Sequence, residues 1–279
     1  MIAAPTPNAK LLIIATELPA GPRILALLGR RLFDLNTDLS IIADLIRCDP
    51  ALTARIVRIA NSVAYGGEEP IASLEEALAR VGFVEVYRLT GFIAVAQVGE
   101  ADLPFYGITG AQFRENSLLT ALLMEQLAEA AQLDSQAAYT AGLLRSIGKV
   151  ALNRLAARTG KTMTYELEGR GPVAAWEAEA VGLTNGEAAA QILTEWRFPT
   201  ETIAAISEHY APPPEAPLAA LLNIAAGAAE RCGHGLPGEF SYWGPSPEVL
   251  AVVGLDEGQV DEATHRALEK FGPVRAAVG

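Results

Sequence analysis

The chain has 279 residues, enough for one large domain or two ordinary ones with an ample core. Hydrophobic residues make up 51% and aromatics only 6%, with Ala abundant, a balance that suits packed helices better than sheets. The net charge of −12 repels phosphate backbones and argues against a nucleic-acid partner, and two cysteines, Cys48 and Cys232, form no disulfide framework and no C-x-x-C. Each cysteine is expected to be a small buried or half-buried side chain. Mean hydropathy is positive, yet the longest uncharged run, Ala216 to Ala229, is shorter than the roughly 20 residues a spanning helix needs. The apolar run Leu11–Ala15 is too short for a secretory signal. The expectation is a cytoplasmic protein with no membrane partner.

Residues 1–9 carry two prolines and no periodicity, so a frayed end is predicted. Pro19 and Pro22 predict a turn before a helix whose Ile24, Leu27, Leu28 and Leu32 share a face. Residues 38–48 read as a short helix capped by Thr37 or Asp38, with Ile41, Ile42, Leu45 and Ile46 inward. Asp49-Pro50 is a start signal, a capping carboxylate before a proline at the first helical position. The helix it opens aligns Leu52, Ile56, Ile59 and Val63 and ends at Gly66-Gly67. Ser73 stands three residues before Glu76 in a capping-box pattern, Gly82 closes that helix, and an apolar helix covers Leu89–Val98.

Residues 100–110, with Pro104, Gly107 and Gly110, read as a hinge between two helical lobes. An amphipathic helix over 111–131 buries Leu119, Leu122, Leu123 and Leu127, and one helix is predicted around 136–155. A polar connection over 160–172 leads to a helical stretch at 173–196, then helices at 200–210 and 217–231. A Gly/Pro-rich stretch over 233–247 precedes a final helix within 257–271. No segment alternates as a multi-strand sheet would, so the predicted fold is all-α. Its expected units are an N-terminal lobe over 10–100, a second lobe over 101–235 and a C-terminal extension over 236–279.

Two blocks carry a family resemblance. AYTAGLLRSIGK (138–149) resembles the metal-binding helix of the HD superfamily, A-x-x-A-G-L-L-H-D-I-G-[KR], with Arg145 and Ser146 in place of the His-Asp pair. ELPAGPRILALL, IIADLIRCDPALTARIVRIANSVAYG (41–66) and PIASLEEALARVGF (70–83) resemble the first part of HDOD domains, HD-related output domains of bacterial signalling proteins. The match runs in ordered blocks over roughly 15–230 and implies an all-α fold, an N-terminal lobe packed on a degenerate HD-like lobe.

The resemblance also lets the metal positions be checked one at a time. The first His falls on Asn116, the His-Asp pair on Arg145 and Ser146, a later His near Asn185, a His-His pair on His209-Tyr210, and the closing Asp on Ala226. A guanidinium has no lone pair to donate and a Ser hydroxyl is a poor ligand. One imidazole cannot hold a catalytic divalent ion, which generally needs three protein ligands. The expected function is therefore non-catalytic signal transduction through a partner signalling protein or a small regulatory ligand, without a cofactor. No receiver, GGDEF-type or EAL-type segment is visible, so a stand-alone output module or adaptor is expected. The alternatives are a divergent phosphohydrolase recruiting metal through Glu115, Glu187 or Glu208, and a cyclic-nucleotide sensor without catalysis.

Arg145 carries two readings. Its fixed charge would anchor an anionic ligand, or it forms an internal salt bridge, to Glu115 or Glu187, that holds helices together. His209 reads as a helix-end imidazole against C-terminal carbonyls, and Trp196 as a packing anchor. Arg47, Arg55 and Arg58 form a modest basic stripe, read as a solvated face. Residues 73–89 superficially resemble a helix-turn-helix but lack a basic recognition helix.

Overall fold

Capping side chains decide where several helices begin. The computed structural model describes residues 8–19, 21–32, 39–62, 65, 70–161, 163–165, 171–243 and 246–278. Among these the helices are α1 (Ala9–Glu17), α2 (Gly21–Leu32), α3 (Leu39–Arg47), α4 (Pro50–Ala60), α5 (Leu74–Val81), α6 (Phe83–Val98) and α7 (Gly110–Ala130). They continue as α8 (Ser135–Leu144), α9 (Ile147–Arg158), α10 (Val173–Val181), α11 (Asn185–Glu195), α12 (Thr200–Glu208), α13 (Pro217–Arg231), α14 (Pro247–Val253) and α15 (Glu257–Val278). No strand occurs among the described residues, and the fold is all-α. No single described helix is long and apolar enough to cross a membrane.

The capping predictions meet the structure closely. The Asp49 carboxylate accepts from the amides of Ala51 and Leu52, each at 3.0 Å, and Pro50 occupies the first helical position, where its missing N–H costs nothing. Ser73 accepts from Glu76 N, while the Glu76 carboxylate reaches back to Ala72 N. Asn8 caps α1, so Asn8 and Ala9 belong to a capped helix start and not to the frayed end predicted for 1–9, of which residues 1–7 lie outside the described residues. Helix α4 ends at Ala60 with Asn61 as its cap, short of the end expected at Gly66-Gly67; Thr37, Asp38, Val63, Gly66 and Gly67 themselves lie outside the described residues.

Several expectations meet a different structure. Leu27 is exposed, because the buried stripe of α2 runs through Ile24, Leu25 and Leu28. The single helix expected around 136–155 is two, α8 and α9, with Arg145 and Ser146 at the break. Arg145 N reaches only Gly142 O, and Lys149 N donates to Ser146 O, a tightening of the helical turn there. The stretch 173–196 likewise divides into α10 and α11, separated by Gly182 and the capping box of Thr184 and Glu187. The supposed hinge at 100–110 is folded inward, with Leu103, Phe105, Tyr106 and Ile108 buried around a bridge between Leu103 and Ile108. Cys48 is exposed and Cys232 partly buried.

Helix α7 is the spine, packing against α8, α13 and α15, while α2 packs on α6 and α11 lies between α9 and α12. α1 reaches across the chain onto α9 and α11, where the Trp196 indole N–H donates to Ala15 O. Tyr87 and Thr140 share a hydrogen bond of 2.7 Å, and Arg88 pairs with Glu125, fastening α6 to α8 and α7. Helix α6 is buried along most of its length, so the segment resembling a helix-turn-helix spends its second helix on the core.

Candidate functional site: a buried ion-pair centre

One side chain that diverges from the HD pattern, Arg145, one that keeps it, Lys149, and two carboxylates that the sequence does not point to form one buried centre. Arg145 and Lys149 lie four residues apart across the α8–α9 break and point the same way. Opposite them stand Glu177 on α10 and Glu239 on the segment after α13. All four are at most 2% exposed, so two cations face two carboxylates away from water. Charges buried this deeply persist only when compensated.

Arg145 makes the most specific contacts. One terminal nitrogen donates to Glu239 Oε2 at 2.8 Å, the other to Asn116 Oδ1 at 2.7 Å. His209 Nε2 lies 3.5 Å from the guanidinium, and the Trp243 ring lies 5.7 Å from it. His209 caps α12 with Nδ1 at 2.8 Å from Ile206 O. A carbonyl can only accept, so Nδ1 carries the proton and Nε2 turns its lone pair toward Arg145. Burial, and then the Arg145 charge, push the His209 pKa down from 6.5 to about 3, which keeps the ring neutral. Three acceptors from distant helices and a loop therefore converge on one guanidinium.

Lys149 completes the other end. Its Nζ is 3.3 Å from Glu239 Oε1, 3.6 Å from Glu177 Oε1 and 4.7 Å from the centre of the Tyr106 ring. Tyr210 donates to Glu239 Oε1 at 2.7 Å and Tyr106 to Glu177 Oε1 at 2.8 Å. Asn185 gives Glu177 its backbone and side-chain N–H groups. Burial alone would raise the Glu239 pKa, but the Arg145 and Lys149 charges outweigh it and hold the carboxyl at about 2.

The backbone is arranged for this approach. Gly238 has φ +78°, and a Cβ there would sit 2.6 Å from Tyr165, so only glycine delivers Glu239 into the centre here. Gly148 lies so close to α11 that a Cβ would be 1.8 Å from Asn185 O.

Of the six degenerate positions, the structure joins Asn116, Arg145 and His209 directly, and Asn185 through Glu177 and Tyr210. The Ser146 hydroxyl is buried without a hydrogen-bond partner, and Ala226 is buried on α13 with no donor to offer. The salt-bridge partners expected for Arg145 are wrong. Glu115, one residue before Asn116, faces elsewhere on α7 and pairs with His234 and Arg275, while Glu187 is consumed as the capping carboxylate of α11. Glu208 is exposed. Lys149 carried a usable signal, its i+4 spacing from Arg145; Glu177 and Glu239 carried none, since they come from 32 and 94 residues away in the chain.

The HD superfamily implies a divalent metal here, and these side chains do not fit one. The lone pairs of Asn116, His209 and Glu239 already face a cation, Arg145, fixed in their midst. Among the described residues no three His, Cys, Asp or Glu side chains form a group able to hold a metal ion.

The comparisons agree with this architecture. The solved structures include an HDOD domain protein of unknown function from Geobacter sulfurreducens, TM-score 0.70 at 20% identity, covering 96% of both chains. A protein described as a phosphohydrolase from Shewanella amazonensis SB2B gives TM-score 0.67 at 23% identity over 97% of this chain and 98% of that one. A protein described as acting in signal transduction from Marinobacter aquaeolei VT8 gives TM-score 0.70 at 23% identity; the match covers 94% of this chain but only 58% of that one. At such identities these likenesses speak for the fold. A search of curated proteins finds no match. The sequence model of the HDOD domain matches residues 18–212, well over half of the chain, and with the fold and the degenerate HD frame in place the chain belongs to the HDOD family.

Proposed function

We propose that this HDOD protein is non-catalytic and acts in signal transduction by binding a partner protein or a small regulator. The observation that carries the reading is the position of the Arg145 guanidinium, held by Asn116 and Glu239 and faced by His209. A permanent cation stands among residues aligned with metal ligands, and a built-in carboxylate stands against it. Hydrolysis of a phosphate ester on this scaffold would need a Lewis acid or an activated water at that point. The residues present supply neither, and Lys149 and Arg145 are already neutralised by Glu177 and Glu239.

Metal analysis of the purified full chain after exposure to Mn²⁺, joined to a phosphodiesterase assay with bis(p-nitrophenyl) phosphate, tests this reading. Substoichiometric metal and no turnover are expected. Stoichiometric metal with turnover would overturn the proposal in favour of a divergent phosphohydrolase.

A further inference from the structure

The acidic total of this chain hides one place where arginines gather. A cleft of about 410 Å³ opens between α4, α6, α7 and α15, lined by Arg55, Arg58, Arg114 and Arg275 over a floor of Phe92, Ala96 and Leu118. The two carboxylates on its wall are Glu100 and Glu115. Glu115 is fully engaged, with Arg275 at 3.2 Å and His234 at 3.3 Å. Arg114 donates to Gly99 O at 2.9 Å, a bond that orients its guanidinium without neutralising it. Arg55 and Arg58, three residues apart on one face of α4, have no side-chain partner among the described residues, in contrast to Arg47, which is paired with Asp44 and Glu75.

The charge balance follows directly. Arg275 cancels Glu115, leaving Arg55, Arg58 and Arg114 against Glu100, an excess of two positive charges in a chain of net charge −12. Guanidinium forks match the oxygens of a phosphate group, and a phosphate monoester carries about −1.5 to −2 charges near neutrality. The floor beside them offers apolar contact to whatever bears the phosphate.

We infer that the cleft between α4, α6, α7 and α15 binds a small molecule bearing a phosphate monoester, held by Arg55, Arg58 and Arg114. This inference rests on the binding reading above and gives that reading a site and a ligand class. Arg55 and Arg58 provide the charge, Arg114 is positioned by Gly99, and the Arg275–Glu115 pair closes the edge belonging to α15.

Calorimetry on the full chain with inorganic phosphate, AMP and adenosine tests it. Saturable binding of phosphate and AMP, competition between them, and no binding of adenosine are expected. The Arg55→Ala/Arg58→Ala variant should lose at least about tenfold in affinity, while Arg47→Ala/Arg266→Ala, which removes equal charge elsewhere, should stay within about twofold. Neither pair of arginines is buried, so melting curves should coincide. Equal loss in both variants, no saturable binding of either anion, or binding of single-stranded RNA or phosphatidic-acid vesicles in its place would each overturn the inference. Phosphate-ester turnover with metal would sink the non-catalytic reading regardless of the cleft; absence of anion binding without turnover sinks the cleft alone.

Discussion

Two arginine environments in this protein invite comparison. In the centre, Arg145 is 2% exposed and every neighbour that could accept from it is an internal side chain: Glu239, Asn116 and His209. In the cleft, Arg55 and Arg58 carry the same group with no internal partner among the described residues. A charge removed from water must bring its own counter-ion, and once paired it serves the fold. A charge left at the rim stays hydrated and keeps its bonding capacity for something that arrives. The contrast moves anion recognition away from Arg145, where the degenerate motif first suggests it, to the opposite side of α7.

The sharpest way to break this comparison is to remove one charge from the centre. Arg145→Ala should cost about 3–5 kcal/mol in urea unfolding, because it leaves Lys149 as the single cation facing both Glu239 and Glu177 in a dry site. Arg145→Met/Glu239→Leu leaves Lys149 facing Glu177, and should recover about 1–3 kcal/mol relative to the sum of the single changes. Simple additivity would show that the pair is not acting as a unit. Gly148→Ala should cost about 3 kcal/mol, since the new methyl meets the α11 backbone and α9 cannot move away cheaply.

Acid should weaken the centre in two stages. His209 is neutral in the fold with its pKa lowered from 6.5 to about 3, so the unfolded chain takes the proton first as pH falls, and stability declines through that window. Glu239, lowered from 4.5 to about 2, adds a second loss across its own lower window. Urea midpoints measured from pH 8 to pH 3 should be flat above about 6.5 and fall below it, and His209→Gln should flatten the upper part of the fall. A variant that keeps the parent slope would remove His209 from this account. The smallest effect belongs to Arg47→Ala, an exposed pair on α3, for which the urea midpoint should not move measurably.

Much of the fold was legible in advance, because caps and hydrophobic periodicity are local. The starts at Asp49 and Ser73 and the stop at Gly82 depend on residues within one turn of them, whereas α4 stops at Ala60, short of the end expected at Gly66-Gly67. The break at Arg145–Ser146 was missed because the two glycines of AYTAGLLRSIGK, Gly142 and Gly148, flank it without marking it and no proline is present; the approach of α11 to Gly148 and the inward turn of Arg145 belong to packing. The losses at Asn116, Arg145, Ser146, Asn185 and Ala226 could be read from the resemblance, but what those positions do instead could not.

The capped helix starts at Asp49 and Ser73, the family and the loss of the metal-binding residue types were thus determined by the sequence itself, since each depends on neighbours a few residues apart or on residue chemistry alone. Only the tertiary structure decided that Glu239 is the counter-ion of Arg145 and that Arg55, Arg58 and Arg114 share a cleft. Those pairings join residues dozens of positions apart, and the energy that selects them, desolvation weighed against charge, exists only once the helices have packed.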